Sequence, residues 1–132
     1  MNIRRTSGLV GLAALMGFAV ALAETEAPPS EPEASIEYML ARVAGSDVEF
    51  LRNGKSHSAA EAVNHMRRKY DFYADRIHTP EDFIEWAATK SMLSGRAYMI
   101  RHANGEVPAA EWMHRLLKDY RRSKDDLNMV SE

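Results

Sequence analysis

The 132-residue sequence contains no cysteine. Disulfide bonds, catalytic thiols and cysteine-ligated metals are therefore excluded, and packing alone must hold the folded state together. Long apolar runs are also scarce. The one uncharged apolar stretch, residues 9–22, is shorter than the roughly 20 residues that a membrane-spanning helix needs. Its length favours a secretion signal over an uncleaved membrane anchor.

The residues around this apolar run have the features of a signal peptide. Arg4 and Arg5 precede the run, and the small-x-small sequence of residues 21–23 ends it. This order of positive charge, apolar run and small residues is typical of a secretory signal. We expect cleavage after Ala23, so that residues 1–23 are the signal peptide and the mature protein is periplasmic. The membrane would then contact the protein only through this transient segment.

The sequence also lacks a basic excess. Without Arg4 and Arg5, the 15 remaining cationic residues face 19 acids, and four of those acids lie in residues 24–34. The rest of the chain is neutral overall, whereas nucleic-acid-binding domains normally carry a basic patch. We therefore expect no nucleic-acid partner.

Four segments of different composition follow one another along the chain. After the signal peptide, residues 24–34 are rich in proline and acids and predict an extended, mobile tether. Residues 35–122 carry the periodic apolar pattern of one folded domain. Residues 123–132 are polar and are expected to fray.

Helical patterns and short strand–turn signals alternate within the domain. Ser35 is the expected cap of the first helix, and Ser58 with Glu61 forms a capping box for the second. The Asn53-Gly54 pair favours a tight hairpin turn, because a type I′ turn needs positive φ at both central residues. Asn104-Gly105 is expected to form a second turn. The pattern predicts an α+β fold, with about four helices packed on a small antiparallel sheet or on two short hairpins.

The third helix breaks its own apolar pattern. Thr79 and Pro80 open it, because threonine caps the first amides and proline suits the first turn. If the helix continues to the Ser94-Gly95 pair, Lys90 and Ser94 project onto its buried face. A polar group on an inward face is costly without a partner. The sequence therefore predicts polar partners close to both side chains.

These residues and others near them are expected to form one polar recess. His65 and Lys69 border the apolar stripe of the second helix, so both can face the end of the third helix. Cationic and hydroxyl groups bind carboxylates or phosphates through charge-assisted hydrogen bonds. The predicted ligand-binding residues are His65, Lys69, Lys90, Ser91, Ser94, Arg96 and Tyr98. The alternative is a structural polar network that fixes the helix against the following strand.

The same region allows a catalytic alternative. The i, i+4 spacing of Lys90 and Ser94 would let a buried lysine activate the serine in a small hydrolase or transferase, and His65 would centre another such site. No serine elbow or oxyanion loop accompanies the pair. The five histidines are scattered without a metal-binding motif, so neither a metal nor another cofactor is expected.

Five short motifs occur in order along the domain. They are the segment FLRNG at 50–54, His65-x-Arg67-x-Lys69-Tyr70, Thr79-x-Glu81-x-Phe83-Ile84, Ser91-x-x-Ser94-Gly95-x-x-Tyr98, and Trp112. Together they resemble a family of small exported bacterial proteins known only as a domain of unknown function, number five-three-two-nine. The resemblance covers residues 36–120 and implies a bacterial, periplasmic, stand-alone domain with no established activity.

Members of this family often carry two cysteines that the present sequence lacks. The corresponding positions fall near Val48 and near Arg101 or His102. If those cysteines pair, the resemblance implies that the strands through Val48 and Ile100 are neighbours. Because this sequence lacks both cysteines, it cannot have a redox role that depends on them.

The sequence thus indicates a class of function rather than a specific one. We expect a small exported, non-catalytic domain that binds either a protein partner or an anionic small molecule. The catalytic alternative would need two titratable groups within hydrogen-bond reach of each other and of open space.

Overall fold

The computed structural model describes residues 27–132. The predicted signal peptide and the first residues of the predicted tether lie outside this range. Within it, the helices are α1 (Glu31–Ala44), α2 (Ala59–Phe72), α3 (Pro80–Phe83) and α4 (Ala109–Val130), and the strands are β1 (Glu49–Arg52), β2 (Lys55–His57), β3 (Met99–His102) and β4 (Gly105–Pro108). These elements confirm the predicted α+β class. None of the helices in residues 27–132 has the length and apolar character to cross a membrane.

The strands form one antiparallel sheet in the order β2-β1-β3-β4. The two hairpins therefore join through β1 and β3, where Phe50 lies opposite Ile100. A single sheet is present rather than two separate hairpins. The adjacency of β1 and β3 also agrees with the neighbouring strands that the family resemblance implied.

Local signals in the sequence set the junction between the first hairpin and α2. Asn53 and Gly54 have φ angles of 52° and 77°, as a type I′ turn requires. The Ser58 hydroxyl accepts from the Glu61 amide at 3.2 Å, and the Glu61 carboxylate accepts from the Ser58 amide at 3.2 Å. This capping box starts α2 directly after β2, so that β1 and α2 lie close together.

Helix α1 begins earlier than the sequence predicted. Its N-cap is Ser30 rather than Ser35, and the Ser30 hydroxyl and Glu33 carboxylate form a capping box. Pro32 suits the first turn, because its φ is already helical and no intrahelical bond needs its missing N–H. Residues 31–34, which were expected to be extended, are therefore helical. Ser35 is buried within the helix and caps nothing.

Helix α3 begins at the predicted cap but ends early. The Thr79 hydroxyl caps it, and a π-helical turn, Ile84–Ala88, follows it. The Thr89 hydroxyl donates to the first carbonyl oxygen of that turn at 2.8 Å, which satisfies a carbonyl group at the helix end. The prediction of a helix through Ser94 is wrong, and the helical i, i+4 relation between Lys90 and Ser94 does not exist.

Residues 89–98 instead form a turn that reverses the chain, here named the 89–98 turn. Lys90 pairs with Ala97 in an isolated antiparallel bridge. Inside that bridge, the Ser91 amide donates to the Arg96 carbonyl oxygen at 3.0 Å. The turn therefore reverses the direction of the chain immediately before β3 begins.

The last helix, α4, continues beyond its predicted end. It reaches Val130, so residues 123–130, which were expected to fray, are helical. Lys124 forms an ion pair with Glu31 in the first turn of α1. Leu127 lies beyond this pair and is 68% exposed, so the end of α4 projects from the domain.

The core lies between one face of the sheet and the helices. Its largest fully buried side chains are Ile36, Met39, Leu40, Val43, Phe83, Ile84, Ile100, Met113 and Leu117. Helix α2 contributes Ala62, Met66 and the stem of Lys69. These few residues leave the rest of the α2 surface polar. Polar side chains of α2 therefore lie at the edge of the core, where the candidate site is.

Candidate functional site

A chain of hydrogen bonds connects the first hairpin, α2 and the 89–98 turn. Arg52 Nη1 lies 3.2 Å from His65 Nδ1, and His65 Nε2 lies 3.0 Å from the Tyr98 hydroxyl oxygen. Lys69 Nζ donates to the same oxygen at 3.1 Å and to the Lys90 carbonyl oxygen at 2.9 Å. The four side chains of this network come from segments that are distant in sequence and adjacent in space.

The local structure explains why these side chains meet. Arg52 is the last residue of β1 before the Asn-Gly turn, which places it beside the start of α2. His65 and Lys69 lie one helical turn apart and therefore share a face of α2. Tyr98 ends the 89–98 turn, and its amide donates to the Thr89 carbonyl oxygen at 3.0 Å. Each position is thus fixed by backbone hydrogen bonds of its own element.

The donors and acceptors of the network define the protonation state and the tautomer of His65. An arginine side chain only donates, so His65 Nδ1 accepts from Arg52 and carries no hydrogen. The neutral ring then has its hydrogen on Nε2 and donates it to Tyr98. The Tyr98 oxygen accepts from both His65 and Lys69. None of the hydrogen bonds found in residues 27–132 uses the Tyr98 hydroxyl hydrogen, which is left to donate into the adjacent recess.

Burial shifts the pKa values of His65, Lys69 and Tyr98. It lowers the pKa of His65 to about 4, and repulsion from Arg52 and Lys69 adds to this effect. Burial also lowers the pKa of Lys69 to about 8, again with repulsion from Arg52. It raises the pKa of Tyr98. At neutral pH the imidazole and phenol are therefore neutral, whereas Lys69 carries a positive charge.

An open recess of about 350 Å³, here named the outer recess, lies between α2 and the 89–98 turn. Arg52, Arg68 and Lys69 line it together with His65 and Tyr98. No carboxylate from the part of the chain that the structure describes lines this recess. The charged side chains of residues 27–132 that line it are therefore all positive, and they lie beside the apolar side chains of Phe72, Met92 and Leu93.

The cations of the outer recess also lack acidic partners. Among residues 27–132, Arg52, Arg68 and Lys69 form no ion pair. Arg67, next to Arg68 on α2, instead pairs with both oxygens of Glu37 at 2.8 and 2.9 Å. Three like charges at one recess repel one another. An anion that binds there would relieve this repulsion.

A second recess, here named the apolar cleft, lies between β1 and α2 and has a volume of about 220 Å³. Its floor consists of buried apolar side chains: Phe50, Ala62, Met66, Ala87 and Ala109. The apolar cleft shares Arg52, His65, Arg68 and Tyr98 with the outer recess. The two recesses are therefore neighbours along one polar edge.

The structure brings together some of the residues that the sequence selected. His65, Lys69 and Tyr98 form the hydrogen-bonded network, and Ser91 lines the outer recess beside them. Arg96 is exposed and lines neither recess. Four of the seven predicted side chains therefore lie at one recess, and their role in ligand binding stays a prediction.

The predicted Lys90 and Ser94 pair is not a catalytic dyad. The Lys90 side chain is exposed, and this residue contributes only its carbonyl oxygen to the network. The Ser94 hydroxyl is exposed and donates to Asn53 Oδ1 at 2.5 Å. Neither side chain lines a recess. Their predicted role depended on a helix that ends before Lys90.

Sequence reasoning missed Arg52 and Arg68 as site residues. Neither follows from the apolar periodicity, because Arg52 lies at the end of β1 in the FLRNG segment and Arg68 is exposed on α2. Both carry a positive charge near His65. Arg68 is close to it in sequence, and Arg52 lies in the hairpin that immediately precedes α2. Among residues 27–132, no group of three histidine or carboxylate side chains has a metal-binding arrangement.

Comparison with known proteins identifies a family but no activity. One relative is the uncharacterized protein YfeK of Salmonella typhimurium strain LT2, which is 42% identical over 67 residues. That match covers 50% of this chain and 56% of the relative, so the chain spans little more than half of the relative's length. No solved structure matches the chain significantly. Residues 30–121, from the cap of α1 into α4, match a family of unknown function, DUF5329, and the chain therefore belongs to this family.

Proposed function

We propose that the protein is an exported, non-catalytic binding domain whose outer recess holds a small anionic ligand. The observation that supports this proposal is the convergence of Arg52, Arg68 and Lys69 on a recess without a carboxylate in its lining from residues 27–132. Charge-assisted hydrogen bonds from such groups to a carboxylate or phosphate are roughly twice as strong as neutral ones. Binding is therefore the chemistry that this lining favours.

Lys69 is a buried donor of the recess and is held by two hydrogen bonds. Its side chain is only 9% exposed, and the Lys90 carbonyl oxygen and the Tyr98 hydroxyl fix its amine. The ligand would therefore meet an ammonium group whose position is set before binding, which lowers the entropic cost of association. The Tyr98 hydroxyl hydrogen supplies a further donor.

The His65-centred catalytic alternative has less support. Both ring nitrogens of His65 are engaged, one by Arg52 and the other by Tyr98. A general base needs a nitrogen within reach of the proton that it removes. His65 therefore orients its neighbours in this proposal and does not act on substrate.

A protein partner that presents a carboxylate is the second candidate ligand. Apolar side chains beside the cations favour it, because Phe72, Met92 and Leu93 line the outer recess and are 77%, 48% and 101% exposed. Exposed apolar groups around a polar centre are typical of protein interfaces. The same cations would bind either ligand.

Binding of inorganic phosphate and acetate, followed by NMR chemical-shift titration, tests the proposal. We expect Lys69→Met to weaken binding by about tenfold or more, since a hydrogen bond to a charged group contributes about 1.5–3 kcal/mol. Arg68→Gln should weaken it as well, without loss of the fold, because Arg68 is exposed. Arg122→Gln is the matched control, since it removes one exposed charge from α4 and lines neither recess.

Two results would contradict the proposal. Absence of any saturable shift at the outer recess with either anion would exclude binding of small anions there. Equal affinities for Arg68→Gln, Lys69→Met and Arg122→Gln would show that binding depends on net charge alone. A circular dichroism spectrum of each variant establishes that the fold is retained.

Export is the other part of the proposal, and it is supported by Arg4, Arg5, the apolar run at 9–22 and the small residues before Glu24. We expect the periplasmic protein to begin at Glu24. Mass spectrometry of the intact protein, recovered from a periplasmic extract, measures this directly. A periplasmic form that retains Met1 would contradict the predicted cleavage.

A further inference from the structure

The floor of the apolar cleft is suited to hydrocarbon. Phe50, Ala62, Met66, Ala87 and Ala109 are each at most 7% exposed. The side chains of this floor offer water no hydrogen-bond partner, so the floor favours contact with an apolar group. At about 30 Å³ for each water-sized group, the volume of about 220 Å³ accommodates roughly seven such groups. The space is that of a short alkyl chain or a single aromatic ring.

The two ends of the cleft along α2 carry opposite charges, because Glu61 lies in the first turn of the helix and Arg68 lies about two turns further on. Arg52 and Arg68 lie on the edge shared with the outer recess, whereas Glu61 also lines the cleft. The Glu61 carboxylate accepts from the Ser58 amide at 3.2 Å and lies 3.1 Å from His57 Nδ1. Glu61 therefore has local partners, and no ion pair within residues 27–132 neutralises Arg52 or Arg68. A carboxylate would be attracted to the arginine edge and repelled near Glu61.

We propose that the ligand is a small monocarboxylic acid whose carboxylate binds at Arg52 and Arg68 and whose apolar body of about six to eight carbon atoms fills the apolar cleft. This inference rests on the proposed function, because it uses the same cationic edge. Lys69 and Tyr98 complete the polar end of the site from the outer recess. The ligand is a monocarboxylate rather than a dicarboxylate, because a second carboxylate at the other end of its apolar body would lie near the Glu61 carboxylate and be repelled.

The apolar side chains of the outer recess are a poorer place for the body of this ligand. Leu93 is 101% exposed and Phe72 is 77% exposed, so a chain laid against them would remain largely in water. Hydrophobic stabilisation is proportional to the apolar area removed from water. The cleft floor offers that burial, and the exposed side chains do not.

A series of straight-chain acids tests the inference on the wild-type protein. Calorimetric or NMR titration with acetate, butyrate, hexanoate and octanoate should show affinity rising by about three- to fourfold for each added methylene, until the cleft is full. Octanamide, which has the same body without the charge, should bind at least about tenfold more weakly than octanoate.

The outcomes separate this inference from the proposed function. If acetate and phosphate bind but affinity does not rise with chain length, the cleft assignment is overturned and anion binding stands. If none of the anions binds, the proposed function itself fails. Equal binding of octanamide and octanoate would overturn the role of the arginine edge.

Two variants locate the apolar body. Ala62→Leu extends a side chain into the cleft and should remove the chain-length dependence, whereas Leu93→Ser should leave it unchanged. The reverse pattern would place the body on the outer recess and overturn the inference. If Ala62→Leu does not fold, intermolecular NOEs on the wild type decide: contacts from the octanoate methyl group to Met66 support the cleft, and contacts to Leu93 exclude it.

Discussion

Phe83→Ala is expected to lower the free energy of unfolding by about 3–5 kcal/mol. The Phe83 side chain is fully buried in the centre of the core, between α3 and the surrounding helices. Its ring packs edge-on against Tyr70, with centroids 5.5 Å apart. Truncation would leave a cavity below α2, the helix that carries His65 and Lys69. Urea denaturation, followed by circular dichroism, measures the loss.

Phe72→Ala is the matched control for this variant. It removes the same side chain from a position that is 77% exposed, so we expect a change within about 0.5 kcal/mol. A loss below about 1 kcal/mol for Phe83→Ala, or equal losses for the two variants, would contradict the described core. An unchanged slope of unfolding free energy against urea would show that both variants unfold as the wild type does.

Acid should destabilise the protein through His65 by about 1–2 kcal/mol between pH 6.5 and pH 4, because solvent screening of the partly exposed ring reduces the full effect of its lowered pKa. The folded ring has a pKa lowered to about 4, mainly by burial, whereas an unfolded histidine has a pKa of about 6.5. In this range the unfolded chain binds a proton at His65 that the folded chain does not bind. The contribution of His65 to the free energy of unfolding is therefore fully present above about pH 6.5 and is lost as the pH drops towards 4.

Denaturation of His65→Gln over the same pH range isolates this contribution. Glutamine does not titrate, so the variant should lose less stability than the wild type between pH 6.5 and pH 4. His114→Gln, at an exposed position on α4, is the control and should follow the wild type. If the free energies of unfolding of wild type and His65→Gln fall in parallel with pH, the described environment of the ring is ruled out. An NMR titration midpoint of His65 near 6.5 would rule it out as well.

Local signals in the sequence predicted much of the fold. The Asn53-Gly54 turn and the Ser58 and Thr79 caps depend on a few consecutive residues, so they can be predicted from the sequence without tertiary information. The error at α1 is of a different kind. Ser30 and Glu33 also form a local capping box, but the prolines and acids around them suggested an unfolded tether.

The candidate site was less predictable because its residues converge from different elements. His65 and Lys69 were recognised from their positions on the border of one helix face. Arg52 was not, because its approach to His65 depends on how the first hairpin packs on α2. The assumed continuation of α3 assigned Lys90 an inward side chain, whereas the 89–98 turn offers its carbonyl oxygen instead. Such backbone contributions depend on the path of the chain, which side-chain patterns alone do not define.

The pairing of β1 with β3 has a consequence for how the protein folds. Each hairpin joins neighbouring residues and can form on the microsecond scale, whereas β1 and β3 are separated in the chain by α2, α3 and the 89–98 turn. Their pairing must overcome the closure entropy of that whole segment, and non-local contacts of this kind slow folding. We expect the continuous sheet to form late. Because Arg52 belongs to one hairpin and Tyr98 immediately precedes the other, the hydrogen bonds that connect them through His65 can be completed only after this slow step.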